Sequence, residues 1–298
     1  MSDVVYKLKG NESFNIREGW LSKGIDAVKK DPTIFTQNNA MDVLGVGSKM
    51  VKSIRFWMQA SGLVQETRIA NGKRQQLLTR NFGEIIAEND PYFEDVATLW
   101  LIHSKIIARR DLCTAWYLFF NNIDAVTFDR DDLCQLLSHE MNKLVGAGQY
   151  SQKSLEDDAM SILRMYIDDD ARSRDPEENL GSPFAELGLV QRSSSSVKEY
   201  RKTQPLGDTL DKLIVLYVLL NSLQEGQRAV SIDDMLYKPC SLGRALNMGR
   251  PMAYEYLDKL RNAGLITLNR TAGLDMVYID ENIKAEDILR NYYRQASE

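Results

Sequence analysis

Histidine and cysteine, on which much metal and nucleophile chemistry depends, are nearly missing from this chain. Its 298 residues hold two histidines, His103 and His139, and three cysteines, Cys113, Cys134 and Cys240. The cysteines are odd in number, far apart and without zinc-type spacing, which argues against a disulfide framework or a zinc finger. So few histidines would thinly staff a histidine-based metal site or catalytic triad. No apolar run approaches the roughly 18 residues that a membrane span requires, and the longest lies around Leu213–Leu220. The opening MSDVVYKLKG lacks the basic-then-apolar order of a signal peptide, so the expected address is cytoplasmic, with no membrane partner. Phosphate-loop, GxGxxG, HExxH and GxSxG patterns are missing as well. What remains is an ordinary globular composition, 44% hydrophobic and 27% charged. The length suits two or three small domains.

Charge is present but unevenly placed. The net charge of −5 would disfavour a polyanion as partner. Residues 41–80, however, carry seven Lys/Arg (positions 49, 52, 55, 68, 73, 74 and 80) against two acids, Asp42 and Glu66, a local +5. Residues 81–200 carry eleven basic groups against twenty-two acidic ones, a local −11, and residues 241–280 are nearly neutral with five against four. Any nucleic-acid contact is therefore expected at one place.

That place coincides with an internal repeat. Leu44 to Val64 (LGVGSKMVKSIRFWMQASGLV) aligns without a gap on Leu246 to Ile266 (LNMGRPMAYEYLDKLRNAGLI), sharing Leu44/Leu246, Gly47/Gly249, Met50/Met252, Gly62/Gly264 and Leu63/Leu265. Each copy spells a helix end, a glycine turn, an amphipathic helix and a Gly-Leu-(Val/Ile) exit into a strand. In the first copy, apolar spacing predicts helices over Arg17–Lys30, Thr36–Val43 and Ser48–Ser61. A hairpin is expected from Leu63–Ile69 and Lys73–Thr79 around Asn71-Gly72, the dipeptide best suited to positive φ. Helices follow at Phe93–Arg109, Leu112–Asn122, Asp131–Val145 and Ser154–Ile167, the last opened by a capping-box-like Ser154-x-x-Asp157. A third Gly188-Leu189-Val190 exit and a hairpin through Ser193–Ser196 to Val197–Arg201 suggest a degenerate further copy, while Asp168–Asn179 reads as a polar loop. The last stretch reads as helices at Thr209–Leu223, Ile232–Tyr237, Pro251–Ala263 and Ala285–Arg294. Its strands are expected at Leu265–Asn269 and Met276–Ile279 around Ala272-Gly273.

The expected fold is mainly α with small β-hairpin wings (α+β): tandem winged helix-turn-helix units around a helical middle domain. The expected boundaries are 1–88 for an N-terminal winged helix, 89–205 for an acidic helical middle that resembles a degenerate winged helix, and 206–298 for a C-terminal winged helix.

In such units the second helix of the motif enters the major groove and the wing touches the backbone. Ser48, Lys49, Lys52, Ser53 and Arg55 are expected on the outer face of the first such helix, with Lys49, Lys52 and Arg55 at spacings of three. A row of this kind pairs with phosphates, and Arg55 could read a guanine edge. Lys73 and Arg74 at the wing suit backbone contact. The second copy offers Arg250 and Tyr254, with Arg244 and Arg261, but also Glu255 and Asp258. The middle copy's Leu155-Glu156-Asp157-Asp158 would repel phosphate and suits a protein partner. The plainer alternative is that all three units dock proteins and their lysines merely solvate a surface.

No catalytic centre emerges. Nuclease chemistry needs carboxylates that hold a divalent ion. The densest acids, Asp157/Asp158 and Asp168-Asp169-Asp170, read more simply as a helix start and a solvated loop. His103, within TLWLIHSK, reads as a packed core histidine. No metal ligand set is expected from spacing.

Several phrases together resemble a bacterial family described as a domain of unknown function, whose members sit in Ssp-type DNA phosphorothioation operons. The matching residues are Arg17-Glu18-Gly19-Trp20-Leu21 with Lys23-Gly24, Leu44-Gly45-Val46-Gly47, Ser53-Ile54-Arg55-Phe56-Trp57 and Asp90-Pro91-Tyr92. Further on come Thr98-Leu99-Trp100-Leu101 with His103, Thr114-Ala115-Trp116-Tyr117 with Phe119-Phe120-Asn121, and Pro183 with Glu186-Leu187-Gly188-Leu189. They run in order over about 10–190. The resemblance implies the B component of the system, a DNA nickase (endonuclease) that uses Mg²⁺ or Mn²⁺ if it cuts. The implied partners are double-stranded DNA, a cysteine desulfurase and a sulfur-transfer enzyme. One departure stands out. Relatives often show histidine in a Gly-His-Glu-(Thr/Ser)-Phe phrase, and this chain reads Gly10-Asn11-Glu12-Ser13-Phe14, so a cleavage role for that histidine would not carry over. The leading expectation is a DNA-binding component of a phosphorothioation-based modification and defence system; a non-enzymatic winged-helix transcription regulator and a structural adaptor stand beside it.

Overall fold

Gly19 holds φ at +74°, a conformation that costs glycine little, and so sets the true start of the first helix. In the computed structural model, α1 runs Trp20–Lys30 rather than from Arg17. The structure describes all residues except 1–3, 70–71, 168–180, 194–195, 197, 207–208, 272–273 and 297–298, and the side chains of 270, 271 and 274. Asn71 of the expected Asn71-Gly72 turn, the Ala272-Gly273 turn, the Asp168-Asp169-Asp170 run with its loop, and part of the Ser193–Ser196 turn therefore lie outside the described residues, while Gly72 takes the expected positive φ, +80°.

Two units form, Met1–Thr203 and Gln204–Glu298. In the first, the expected Thr36–Val43 helix divides into a 3₁₀ turn at Ile34–Thr36 and a short α2, Ala40–Leu44. The cause lies just upstream, where Asp31 accepts hydrogen bonds from the Thr33 N–H (2.8 Å) and hydroxyl (2.7 Å) and so winds the chain into a local turn. Next come α3 (Ser48–Ala60) and the strands β1 (Val64–Arg68) and β2 (Arg74–Leu78), paired antiparallel from Val64↔Leu78 to Arg68↔Arg74. Helix α4 (Gly83–Asn89) had no sequence signal. Its first residue must be glycine, because a Cβ there would stand 1.9 Å from the Leu63 carbonyl oxygen.

Helices α5 (Val96–Ala108) and α6 (Thr114–Asn121) are apolar on nearly every side and are buried accordingly. Then follow β3 (Thr127–Phe128), α7 (Arg130–Val145), α8 (Gln152–Tyr166), β4 (Val190–Arg192) and β5 (Tyr200–Lys202). The expected capping box at Ser154 is not formed. Helix α8 begins earlier, where the Ser151 hydroxyl accepts from the Ser154 N–H, and the reciprocal capping box instead joins Asp129 and Asp132 at the start of α7.

The second unit holds α9 (Lys212–Ser222), β6 (Ala229–Ser231), α10 (Ile232–Tyr237), α11 (Leu242–Ala245), α12 (Arg250–Asn262), β7 (Ile266–Thr271), β8 (Leu274–Ile279) and α13 (Ala285–Ala296). Its sheet has the order β6-β8-β7, and the middle sheet of the chain has the order β3-β5-β4. In both, a short early strand pairs with the last strand, which takes the central place. Near the N-terminus a single bond echoes this arrangement: the Gln76 N–H in β2 donates to the Pro32 carbonyl at 2.7 Å. The glycine exits recur too, with Gly62, Gly188 and Gly264 at φ +73°, +61° and +72°. Among the described residues no helix is long and apolar enough to cross a membrane.

Candidate nucleic-acid interface

Helix α3 opens at Gly47, which offers no side-chain cap, so the first-turn N–H groups face outward without a side-chain partner from that residue. Ser48, Lys49 and Lys52 are all exposed there. Neither lysine has an ion-pair partner among the described residues. Exposed amides, a hydroxyl and two ammonium groups at a helix start form an anion-attracting patch.

The rest of the expected row is placed differently. Ser53 is fully buried, its hydroxyl directed to the Phe14 carbonyl at 3.5 Å, so it does not belong to the outer face. Arg55 is half-buried and gives Nε and NH2 hydrogen bonds to Glu66 Oε2 at 2.8 and 2.5 Å. Glu66 also receives Arg74 at 3.4 Å and Gln59 at 3.3 Å. One carboxylate thus ties α3 to the hairpin and partly neutralises two arginines. Arg55 is held by that carboxylate rather than extended toward a base edge. Lys73 is exposed on the hairpin, as is Arg68, which the register sets opposite Arg74. In sequence Arg68 and Glu66 are only charges; the strand register and the Arg55 ion pair bring both to the site.

In the second copy the position equivalent to Lys52 is Tyr254, and its hydroxyl donates to Asp275. Arg250, exposed at the start of α12, is ion-paired with Asp233. The two cationic or polar groups expected to meet phosphate are here occupied by carboxylates.

The acidic pair of the middle region also has an internal partner. Lys9 Nζ lies 2.6 Å from Asp157, and the Lys9 N–H donates to Asp158 at 2.9 Å. These acids hold the N-terminal segment and do not stand out as a repelling face. Burial pushes the Asp158 carboxyl up from an ordinary 3.8 to about 7, with the Asp157 charge adding and the Lys9 N–H and ammonium opposing. Its second oxygen has no partner among the described residues, which suits a protonated carboxyl. A carboxyl raised in this way stabilises the fold fully below about pH 4, and that contribution is lost as pH rises through about 7. Asp158→Asn keeps an acceptor for Lys9 but cannot ionise. The variant is expected to equal or exceed the wild type at pH 8, with a pH 5 to pH 8 stability change smaller by on the order of 2 kcal/mol. Urea unfolding at the two pH values measures this; identical pH profiles for both proteins would contradict it.

His103 is buried, with Nδ1 2.7 Å from the Tyr166 hydroxyl and its ring edge-on to Phe120. It is a packed core side chain. Burial raises the Cys113 thiol well above its ordinary value, which disfavours a nucleophilic thiolate. Asn11 is buried between two residues of positive φ, Lys9 and Glu12, and its side-chain oxygen accepts from the Ser13 N–H at 3.2 Å. Among the described residues no three His, Cys, Asp or Glu side chains gather as a metal site.

Solved structures share this fold. One, described as "Magnesium ion-bound SspB crystal structure", is 23% identical with a TM-score of 0.82, covering 98% of this chain and 94% of that one. Another, described as "SspB crystal structure", is 24% identical with a TM-score of 0.81, covering 98% and 95%. No curated protein matches the chain. The family model described as "Protein of unknown function (DUF4007)" matches residues 8–293, nearly the whole sequence, and the chain belongs to that family.

Proposed function

We propose that this chain is the DNA-binding component of a bacterial phosphorothioation modification system and that it grips duplex DNA with its N-terminal module, residues 1–88. The observation that carries the reading is the uncapped start of α3, where exposed Ser48, Lys49 and Lys52 accompany a hairpin bearing Arg68, Lys73 and Arg74. Such a surface binds phosphates without reading bases, so it positions a duplex and leaves sequence choice to other contacts. The strand orders β3-β5-β4 and β6-β8-β7, each with two or more helices between the first and second strands, support a winged-helix reading of the middle and last modules; among the described residues the first has only the β1-β2 pair, and it lies with the middle one in the unit Met1–Thr203. Of the three, the first has the surplus of positive charge. In the third, Arg250 and Tyr254 would have to exchange their carboxylate partners for phosphate.

The system assignment, with a cysteine desulfurase and a sulfur-transfer enzyme as partners, rests on family resemblance and on likeness to SspB. Strand nicking rests on the resemblance alone. The test is full-length protein with supercoiled plasmid, with and without Mg²⁺ or Mn²⁺, read by gel shift and by topoisomer. Metal-independent plasmid binding is the expected result. Conversion to open-circular DNA on adding metal would supply the nicking step. Binding without conversion would withdraw that step and leave a regulator or adaptor, and failure to bind would overturn the proposal.

A further inference from the structure

Residues 81–200 are acidic overall, yet three arginines from separate elements surround one cavity there. A depression of about 180 Å³ lies beside the start of α7, the later turns of α8 and the strands β4 and β5. Arg130, Arg164, Arg192 and Tyr200 supply its polar lining; Met160, Leu163 and Ile167 supply an apolar wall, and no carboxylate among the described residues lines it. The Arg130 Nε donates to the Tyr200 hydroxyl at 3.3 Å, leaving that hydroxyl its own proton to give. Arg164 NH2 donates to Ser161 Oγ at 3.4 Å, and the Arg192 guanidinium stands 5.6 Å from the Tyr200 ring centre. Neither Arg130 nor Arg164 has an ion-pair partner among the described residues.

We infer that this cavity binds one phosphate group carried on a nucleoside, either a free mononucleotide or the phosphorylated end of a strand. Guanidinium forks match phosphate oxygens in pairs. The tyrosine hydroxyl adds a neutral donor, and the wall of Leu163, Ile167 and half-buried Met160 suits the face of a sugar or base. Asp131 and Asp132, in the first turn of α7, disfavour a run of phosphates along that side, so a strand would enter by its end. The site is separate from the α3 surface and does not depend on it.

Calorimetric titration of the full chain with deoxynucleoside monophosphates tests the inference, with inorganic phosphate alongside. Saturable nucleotide binding is expected, tighter than that of phosphate alone. Arg164→Ala and Arg192→Ala, both at exposed side chains, should each weaken it about tenfold. Arg164→Lys, which keeps the charge but loses the fork, should fall between wild type and Arg164→Ala. Lys49→Ala/Lys52→Ala should leave mononucleotide binding unchanged, so failure here and failure of the DNA-binding reading are distinguishable. Short single strands with and without a 5′-phosphate, titrated into the Lys49→Ala/Lys52→Ala chain, separate the two sources: binding that requires the 5′-phosphate and is tighter than that of the mononucleotide assigns a strand end, and the reverse assigns a free nucleotide. No saturable binding at millimolar nucleotide, binding no tighter than that of inorganic phosphate, or binding that neither arginine variant weakens would overturn the inference.

Discussion

Replacing Lys49 and Lys52 together with alanine is expected to lower duplex DNA affinity by about 10- to 100-fold near 50 mM salt and to flatten the slope of log K against log salt by about 2. Each lysine lost leaves roughly one phosphate contact unmade and its counterion unreleased. Because phosphates carry no sequence, the loss should be equal on unrelated duplexes. Both side chains are exposed and without ion-pair partners among the described residues, so stability should move by no more than about 0.5 kcal/mol. Fluorescence anisotropy on two unrelated duplexes across a salt series measures both quantities. An unchanged slope would place the DNA face elsewhere, whatever the absolute affinity.

Trp57→Ala is expected to destabilise the first unit by about 4 kcal/mol. Trp57 is fully buried, with ring contacts to Phe56 at 4.9 Å and Trp116 at 5.4 Å, and its Nε1–H donates to the Phe14 carbonyl at 2.9 Å. It therefore joins α3, α6 and the N-terminal segment in one contact set. Removing the indole opens a cavity and leaves the Phe14 carbonyl without that donor. Trp57→Phe keeps most of the ring volume and isolates the hydrogen bond, with an expected cost of about 1–2 kcal/mol. Chemical unfolding followed by circular dichroism checks the order. A loss below about 1 kcal/mol for Trp57→Ala would mean that the N-terminal segment and α6 are not coupled through this residue.

The longer helices and the glycine exits were legible in sequence because apolar spacing and positive φ are local properties. Strands β3 and β6 were not. At two and three residues they are too short to show alternation, and they exist through pairing with β5 and β8. Ser53 was misplaced because its neighbour Lys52 is exposed, whereas the buried face of α3 is wide enough to include Val51, Ser53, Ile54, Phe56, Trp57, Met58 and Ala60. A small hydroxyl on that face can be buried against a backbone carbonyl. The acids Asp157 and Asp158 read as a repelling surface because their partner, Lys9, lies 148 to 149 residues away, and no local pattern encodes such a contact. Glu66 illustrates the same limit within the site: it becomes the hub of Arg55 and Arg74 only once the hairpin folds back on α3. Lys49 and Lys52 kept their expected exposure because, three residues apart, they share a side of the helix that the buried face does not include.

Hydrogen–deuterium exchange of the full chain with and without a short duplex tests the central claim most directly. The first-turn amides of α3, at Ser48, Lys49 and Met50, lack intrahelical acceptors and should exchange rapidly in the free protein. On adding duplex, slowed exchange is expected there and along the β1–β2 hairpin, with little change over α12. Protection confined to α12, with none at the start of α3, would contradict the account.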